Sequence, residues 1–215
     1  MEISYLGHSS FRLKGKNVSL VTDPYAPEIG FKFPKIEADI ITISHDHQDH
    51  NQKDLVGGNP YVIAGPGEYE VKEVSIYGLQ TFHDETQGTK RGKNTVYRIE
   101  LEDLSFGHLG DLGHSLSAAQ LSELNGVDIL FIPVGGVYTI GPKTAVEVVS
   151  QIEPMIVIPM HYSVKGLDEK VFAGMAGVED FLKEMGAKVV PQPKLIISRE
   201  KLPTELEVIV LERRQ

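Results

Sequence analysis

Residues 38–50 read Ala38-Asp39-Ile40-Ile41-Thr42-Ile43-Ser44-His45-Asp46-His47-Gln48-Asp49-His50, and this stretch decides the fold and the chemistry together. The run Ile40-Ile41-Thr42-Ile43 has the β-branched, unbroken apolar character of a buried strand. It ends in six residues that hold three of the chain's eight histidines and two aspartates. Alternate side chains of an extended segment share a face, so His45 and His47 point together, while Asp49 and His50, past the turn, reach a second centre. Four ligands from six residues are too many for one open tetrahedral site, which keeps a coordination position free for water. They suit two adjacent metal ions. The alternative is a solvated polar loop, but eight histidines in 215 residues rarely place three within six positions by composition.

Moving outward, further apolar runs bounded by Gly, Pro, Asn and Asp predict strands at 18–21, 61–64, 127–134, 155–159 and 208–211. Ser117 caps a predicted helix over 118–124 with Asn125-Gly126 as its stop; Pro142 opens a second over 144–152, before the breaker Pro154; a third runs from 178 to 185 and ends at Gly186. Val146, Val149 and Ile152, and then Phe181, Leu182 and Met185, recur at helical spacing and predict one apolar stripe per helix. Strands covered by one-sided helices imply a layered α/β domain across residues 1–215. Residues 38–45 and 153–161 echo each other, each a buried-looking strand that delivers a histidine.

Composition narrows the chemistry. The chain is 41% hydrophobic and 24% charged and has no cysteine, which excludes disulfide scaffolds, thiol catalysis, cysteine zinc sites and iron–sulfur clusters. Any metal must use His, Asp and Glu. No apolar run approaches membrane-span length, and Met1-Glu2-Ile3-Ser4-Tyr5 carries an acid where a signal peptide carries base; a cytoplasmic protein with no membrane partner is the expectation. A net charge of −9 opposes binding of long nucleic acid, so the expected partner is a small-molecule substrate; a homo-oligomer is compatible with the sequence. Lys90-Arg91-Gly92-Lys93 is a short basic cluster, read as a solvated loop with a phosphate contact as its alternative.

The string His45-x-His47-x-Asp49-His50 after an apolar strand resembles the signature of the metallo-β-lactamase superfamily, and further motifs follow in that superfamily's order. Asp23, in Val21-Thr22-Asp23-Pro24, matches the aspartate that braces the metal loop. His83 fits the histidine that completes the first site, Asp111 in Gly110-Asp111 matches the carboxylate that bridges both metals, and His161 resembles the last ligand of the second site. Leu6-Gly7-His8-Ser9-Ser10-Phe11 resembles the small zinc-dependent hydrolases related to the ascorbate-6-phosphate lactonase. The resemblance implies a four-layer αβ/βα sandwich with metals at one edge. It assigns His45, His47 and His83 to the first metal, Asp49, His50 and His161 to the second, and Asp111 to both. The implied cofactor is two divalent ions, Zn2+ first, with Mn2+, Fe2+ or Ni2+ as alternatives.

The catalytic candidates are Asp49, His8 and Tyr138. His8 could serve as proton donor, substrate contact, extra ligand, or only a strand-end hydrogen bond. Tyr138, in Gly135-Gly136-Val137-Tyr138, could donate to a developing oxyanion. His108 and His114 are expected to be structural or to line the substrate, and Asp23, Asp46 and Asp84 are the candidate acceptors that fix histidine tautomers. The expected activity is hydrolysis of a small ester, lactone or phosphoester by hydroxide held at the binuclear centre. The alternatives are a phosphodiesterase or nuclease for short or cyclic nucleotides, and a non-catalytic metal sensor.

Overall fold

In the computed structural model, which describes residues 1–214, the chain runs β1 (Glu2–Gly7), β2 (Ser10–Lys14), β3 (Ser19–Thr22), β4 (Ile36–Glu37), β5 (Ile40–Ile43), β6 (Val56–Gly57), β7 (Tyr61–Ala64) and β8 (Gly67–Val71). It continues through β9 (Val74–Phe82), β10 (Lys93–Leu101), β11 (Leu104–His108), α1 (Ala118–Glu123), β12 (Ile129–Pro133), α2 (Pro142–Ile152), β13 (Ile156–Met160), α3 (Val178–Glu184), β14 (Leu195–Ile196) and β15 (Glu207–Val208). One sheet has the order β14-β1-β2-β3-β5-β7, and the other β15-β13-β12-β11-β10-β9-β8.

All four residues of β5 are buried between parallel neighbours β3 and β7. All five of β12 are buried between parallel β11 and β13. Unbroken apolar runs are what a strand covered on both faces requires. The two sheets pack face to face through Phe11, Leu20, Ile40, Tyr97, Phe106, Phe131 and Ile158. Each such side chain contributes about 1.5–3 kcal/mol by leaving water.

The outer face of the second sheet is covered by α2 and α3 through Ala145, Val148, Val149, Ile152 and Phe181. The predicted stripes shift accordingly: Val146, Leu182 and Met185 are only half-buried. Over the first sheet, Leu6, Val21 and Ile41 are covered by Ile36, Ala38 and Val56. That fourth layer consists of short 3-10 turns at Pro27–Ile29 and Lys53–Leu55 and the β4–β6 ribbon. Pro24, Pro27, Gly30 and Pro34 break helix propagation before β4, and Gly57, Gly58 and Pro60 do so after β6.

The punctuated helices fall where the sequence places them, and Ser117 forms a capping box with Gln120. The last strand is shorter than 208–211, ending at Val208. The two echoing strands lie in different sheets, β5 in the first and β13 in the second, and both deliver their histidines to one edge. That edge also receives the C-terminal ends of β9 and β11 and the β1–β2 turn.

Candidate metal centre

Asp23 organises the loop after β5. Its Oδ1 accepts the Ser44 N–H at 2.7 Å; its Oδ2 accepts the Ser44 hydroxyl at 2.6 Å and the His50 Nδ1–H at 2.8 Å. One buried carboxylate therefore holds both ends of the 44–50 segment, and the His50 amide closes it on the His47 carbonyl at 2.9 Å. Because the Ser44 hydroxyl donates to Asp23, it accepts from His45 Nδ1 at 2.9 Å. Both His45 and His50 thus direct Nδ1–H to an acceptor and turn Nε2 inward.

His83 enters from the end of β9, its amide bonded to the Gly92 carbonyl at 3.1 Å. Asp111 enters from the turn after β11, where its amide donates to Asn94 Oδ1 at 2.9 Å. Asn94, buried in β10, also donates to Thr81 Oγ1 and to the Leu109 carbonyl. Sequence reading missed this support; an asparagine inside an apolar strand, where the residue is normally depleted, was the available signal. His161 ends β13 with φ +51°, and His8 sits in the β1–β2 turn with φ +56°. Left-handed backbone at non-glycine residues is strained and gathers at functional sites.

The side chains fall into three overlapping groups, each with ligand atoms within 4.8 Å of one another: His45, His47 and His83; His8, Asp49, His50 and His161; and His45, His50 and Asp111. Asp111 lies 3.3 Å from His50 Nε2, 3.1 Å from His83 Nε2, 3.3 Å from His161 Nε2 and 3.8 Å from His45 Nε2. The structure thus gathers all seven sequence-selected ligand candidates. It adds His8, whose Nε2 meets Asp49 Oδ2 at 3.1 Å and whose ring lies 4.1 Å from that of His161.

Other expectations land elsewhere. Tyr138 directs its hydroxyl to the Val171 carbonyl at 2.6 Å, so its proton is committed there and not to an oxyanion at the cluster. Asp46 accepts from Asn51, and Asp84 accepts the amides of Thr86, Gly88, Lys90 and Arg91; neither touches a clustered histidine. Of the three expected tautomer-fixing aspartates, Asp23 alone does that work. His108 donates from Nε2 to the Ser9 carbonyl at 2.8 Å and accepts the Gly110 amide on Nδ1, stitching the two sheets together. His114 accepts the Phe82 amide.

The electrostatics concentrate on Asp111. Burial would raise its pKa, but His161, His50 and His83 hold it well below the usual carboxylate range. Burial lowers His50, yet Asp111 and Asp49 outweigh it and carry the imidazole well above 6.5. His45 is pushed down to about 3 by burial and the neighbouring His50. His8 falls to about 4 through burial and His161, against the bond to Asp49.

The donor chemistry fits divalent metal. His45 Nε2, His50 Nε2, His161 Nε2 and Asp111 Oδ1 are buried without a hydrogen-bond partner. Unpaired buried polar atoms are costly, and these converge on one space. The imidazole nitrogens and carboxylates there form the N/O ligand set of zinc and related ions, and a bound ion would replace the proton that Asp111 and Asp49 favour on His50.

A family model described as a beta-lactamase superfamily domain matches residues 2–161. A solved structure from Thermotoga maritima, described as a Zn-dependent hydrolase of the metallo-beta-lactamase superfamily, aligns with a TM-score of 0.81 at 40% identity, covering 98% of this chain and 97% of that one. UPF0173 metal-dependent hydrolases are similar too. The one from Thermococcus onnurineus is 30% identical over 191 residues, covering 76% of this chain and 85% of its own length. The one from Staphylothermus marinus is 31% identical over 195 residues, covering 75% and 83%. Among the described residues, no helix is long and apolar enough to cross a membrane.

Proposed function

The chain belongs to the metallo-β-lactamase superfamily, and from that premise we propose that it is a metal-dependent hydrolase of a small ester, lactone or phosphoester, working at a binuclear His/Asp centre. The observation that carries this reading is Asp111, set between two groups of histidines, with the Nε2 atoms of His45, His50 and His161 buried beside it without a hydrogen-bond partner. His45, His47 and His83 would hold one ion, Asp49, His50 and His161 the other, and Asp111 both. Two divalent ions, zinc first, would supply a polarising charge and lower the pKa of coordinated water from 15.7 to about 7.

The chain's own residues do the rest. Asp23 orients His50 directly and His45 through the Ser44 hydroxyl, so the inward Nε2 atoms are preset. The His8 imidazole, neutral at pH 7, donates its Nε2–H to Asp49 and fixes that carboxylate. His47 is exposed, so the first group opens to solvent and to substrate. In the overall reaction water adds across the ester bond: the acyl or phosphoryl carbon–oxygen or phosphorus–oxygen bond breaks, hydroxyl joins the acid product, and the leaving alcohol takes the proton. Residues 6–11 resemble small zinc-dependent hydrolases related to a lactonase, and lactones fall within this class.

Asp111→Ala and His161→Ala test the reading through metal content and ester turnover together. Loss of at least one metal equivalent and of turnover is expected. Variants that keep both at wild-type level would refute it.

A further inference from the structure

Beside His45 and His47 a cavity of about 650 Å3 opens between β7 and the start of β10. Its size suits a small organic ligand. One wall is apolar: Val62, Ala64 and Pro66 line it, and Val62 and Ala64 stay exposed because β7 is the last strand of its sheet. The opposite rim carries Lys53, Arg91 and Lys93 against one carboxylate, Asp46, which already accepts from Asn51.

These three cations stand out in a chain with 30 acidic and 21 basic residues. The lysine and arginine ion pairs among the described residues are Lys72–Asp39, Arg98–Glu100, Lys194–Glu2 and Arg199–Asp128; none involves Lys53, Arg91 or Lys93. Arg91 is moreover half-buried and held in place. Its amide donates to Asp84 Oδ2 at 2.8 Å, and its guanidinium lies over the Tyr138 ring at 5.2 Å. A partly desolvated guanidinium without a carboxylate is a ready partner for an anion. The chain's net charge of −9 opposes a long polyanion, while the cations at the cavity favour a small one.

We propose that this cavity binds an amphiphilic organic anion, with its apolar body on Val62, Ala64 and Pro66 and its acidic head group between Arg91 and Lys93. The scissile bond of such a substrate lies toward His47. The placement of that bond rests on the hydrolytic reading above; the binding preference does not.

The test is calorimetric titration of the metal-loaded full chain with octanoate, octanamide and acetate. Octanoate should bind about tenfold or more tighter than either of the others, the ratio expected for a hydrogen-bonded charge and for several buried methylenes. In Arg91→Gln/Lys93→Gln the octanoate-to-octanamide ratio should fall to about twofold, and Lys53→Gln provides a milder variant with an intermediate ratio. Equal affinity for octanoate and octanamide in the wild type would overturn the proposal. So would a preference for octanoate that the double variant leaves intact, which would place the carboxylate on the metals. Turnover of a nitrophenyl ester by the same preparation separates the two readings: anion preference without turnover defeats the hydrolytic reading alone, and turnover without anion preference defeats this one alone.

Discussion

The backbone N–H of His161 donates to the carbonyl of His8 across 2.9 Å. That bond joins the end of β13 in the second sheet to the β1–β2 turn of the first, and both residues are held in left-handed backbone where their imidazoles enter the cluster. The candidate site is therefore a seam between sheets. Its geometry depends on residues that are not themselves candidate ligands, and these make the sharpest predictions.

Asp23 is the first of them. Asp23→Ala leaves the His50 Nδ1–H and the Ser44 amide without their buried acceptor. Affinity for Zn2+ should fall by about 10–100-fold, the usual effect of losing a carboxylate that orients a ligand histidine. Chelator competition measures it; unchanged affinity would mean that the loop is held by other contacts.

Gly110 is the second. It has φ +53°, and a Cβ there would collide with Asn94 Oδ1 and Ser44, the two residues that position Asp111 and His45. Gly126 has φ +78° and open space around it. Both alanine variants should lose about 1 kcal/mol or more to backbone strain, but Gly110→Ala should lose about 1–3 kcal/mol beyond that together with metal affinity. Urea unfolding of the pair isolates the steric part.

His108 gives the pH dependence. Burial holds its pKa below the usual 6.5, and protonating Nδ1 would set two donors against each other at the Gly110 amide. Below pH 6.5 the unfolded chain takes up a proton that the folded chain refuses, so this contribution to stability is complete above about 6.5 and is lost as pH falls toward the depressed folded value. The wild type should lose more stability between pH 7 and 5 than His108→Gln does. Parallel denaturation curves for the two proteins would show that His108 is not responsible.

Much of this was legible in the sequence because the signals were local. The β5 run and the His45–His50 string are contiguous, and Ser117, Pro142 and Gly186 punctuate the helices at positions where backbone chemistry leaves little choice. The rest depends on distant parts of the chain. The β9–β10 hairpin does not stand out in the sequence, since Gly78 interrupts the alternation; the glycine is needed where Gly65, Pro66 and Tyr97 press close. Tyr138 has the right chemistry for an oxyanion donor, but Val171, far along the chain, claims its proton. Asp84 beside His83 suggested a tautomer-fixing pair, whereas four amides of its own loop satisfy it. Proximity in sequence does not reveal which of two neighbouring groups faces inward.

Anomalous diffraction from crystals grown with Zn2+ tests the central claim most directly, because it counts and places the ions at once. Two peaks per chain are predicted about 3.5–4 Å apart, one among His45, His47 and His83 and one among Asp49, His50 and His161, with Asp111 within coordination distance of both. A single peak, or two peaks without Asp111 between them, would contradict the binuclear account.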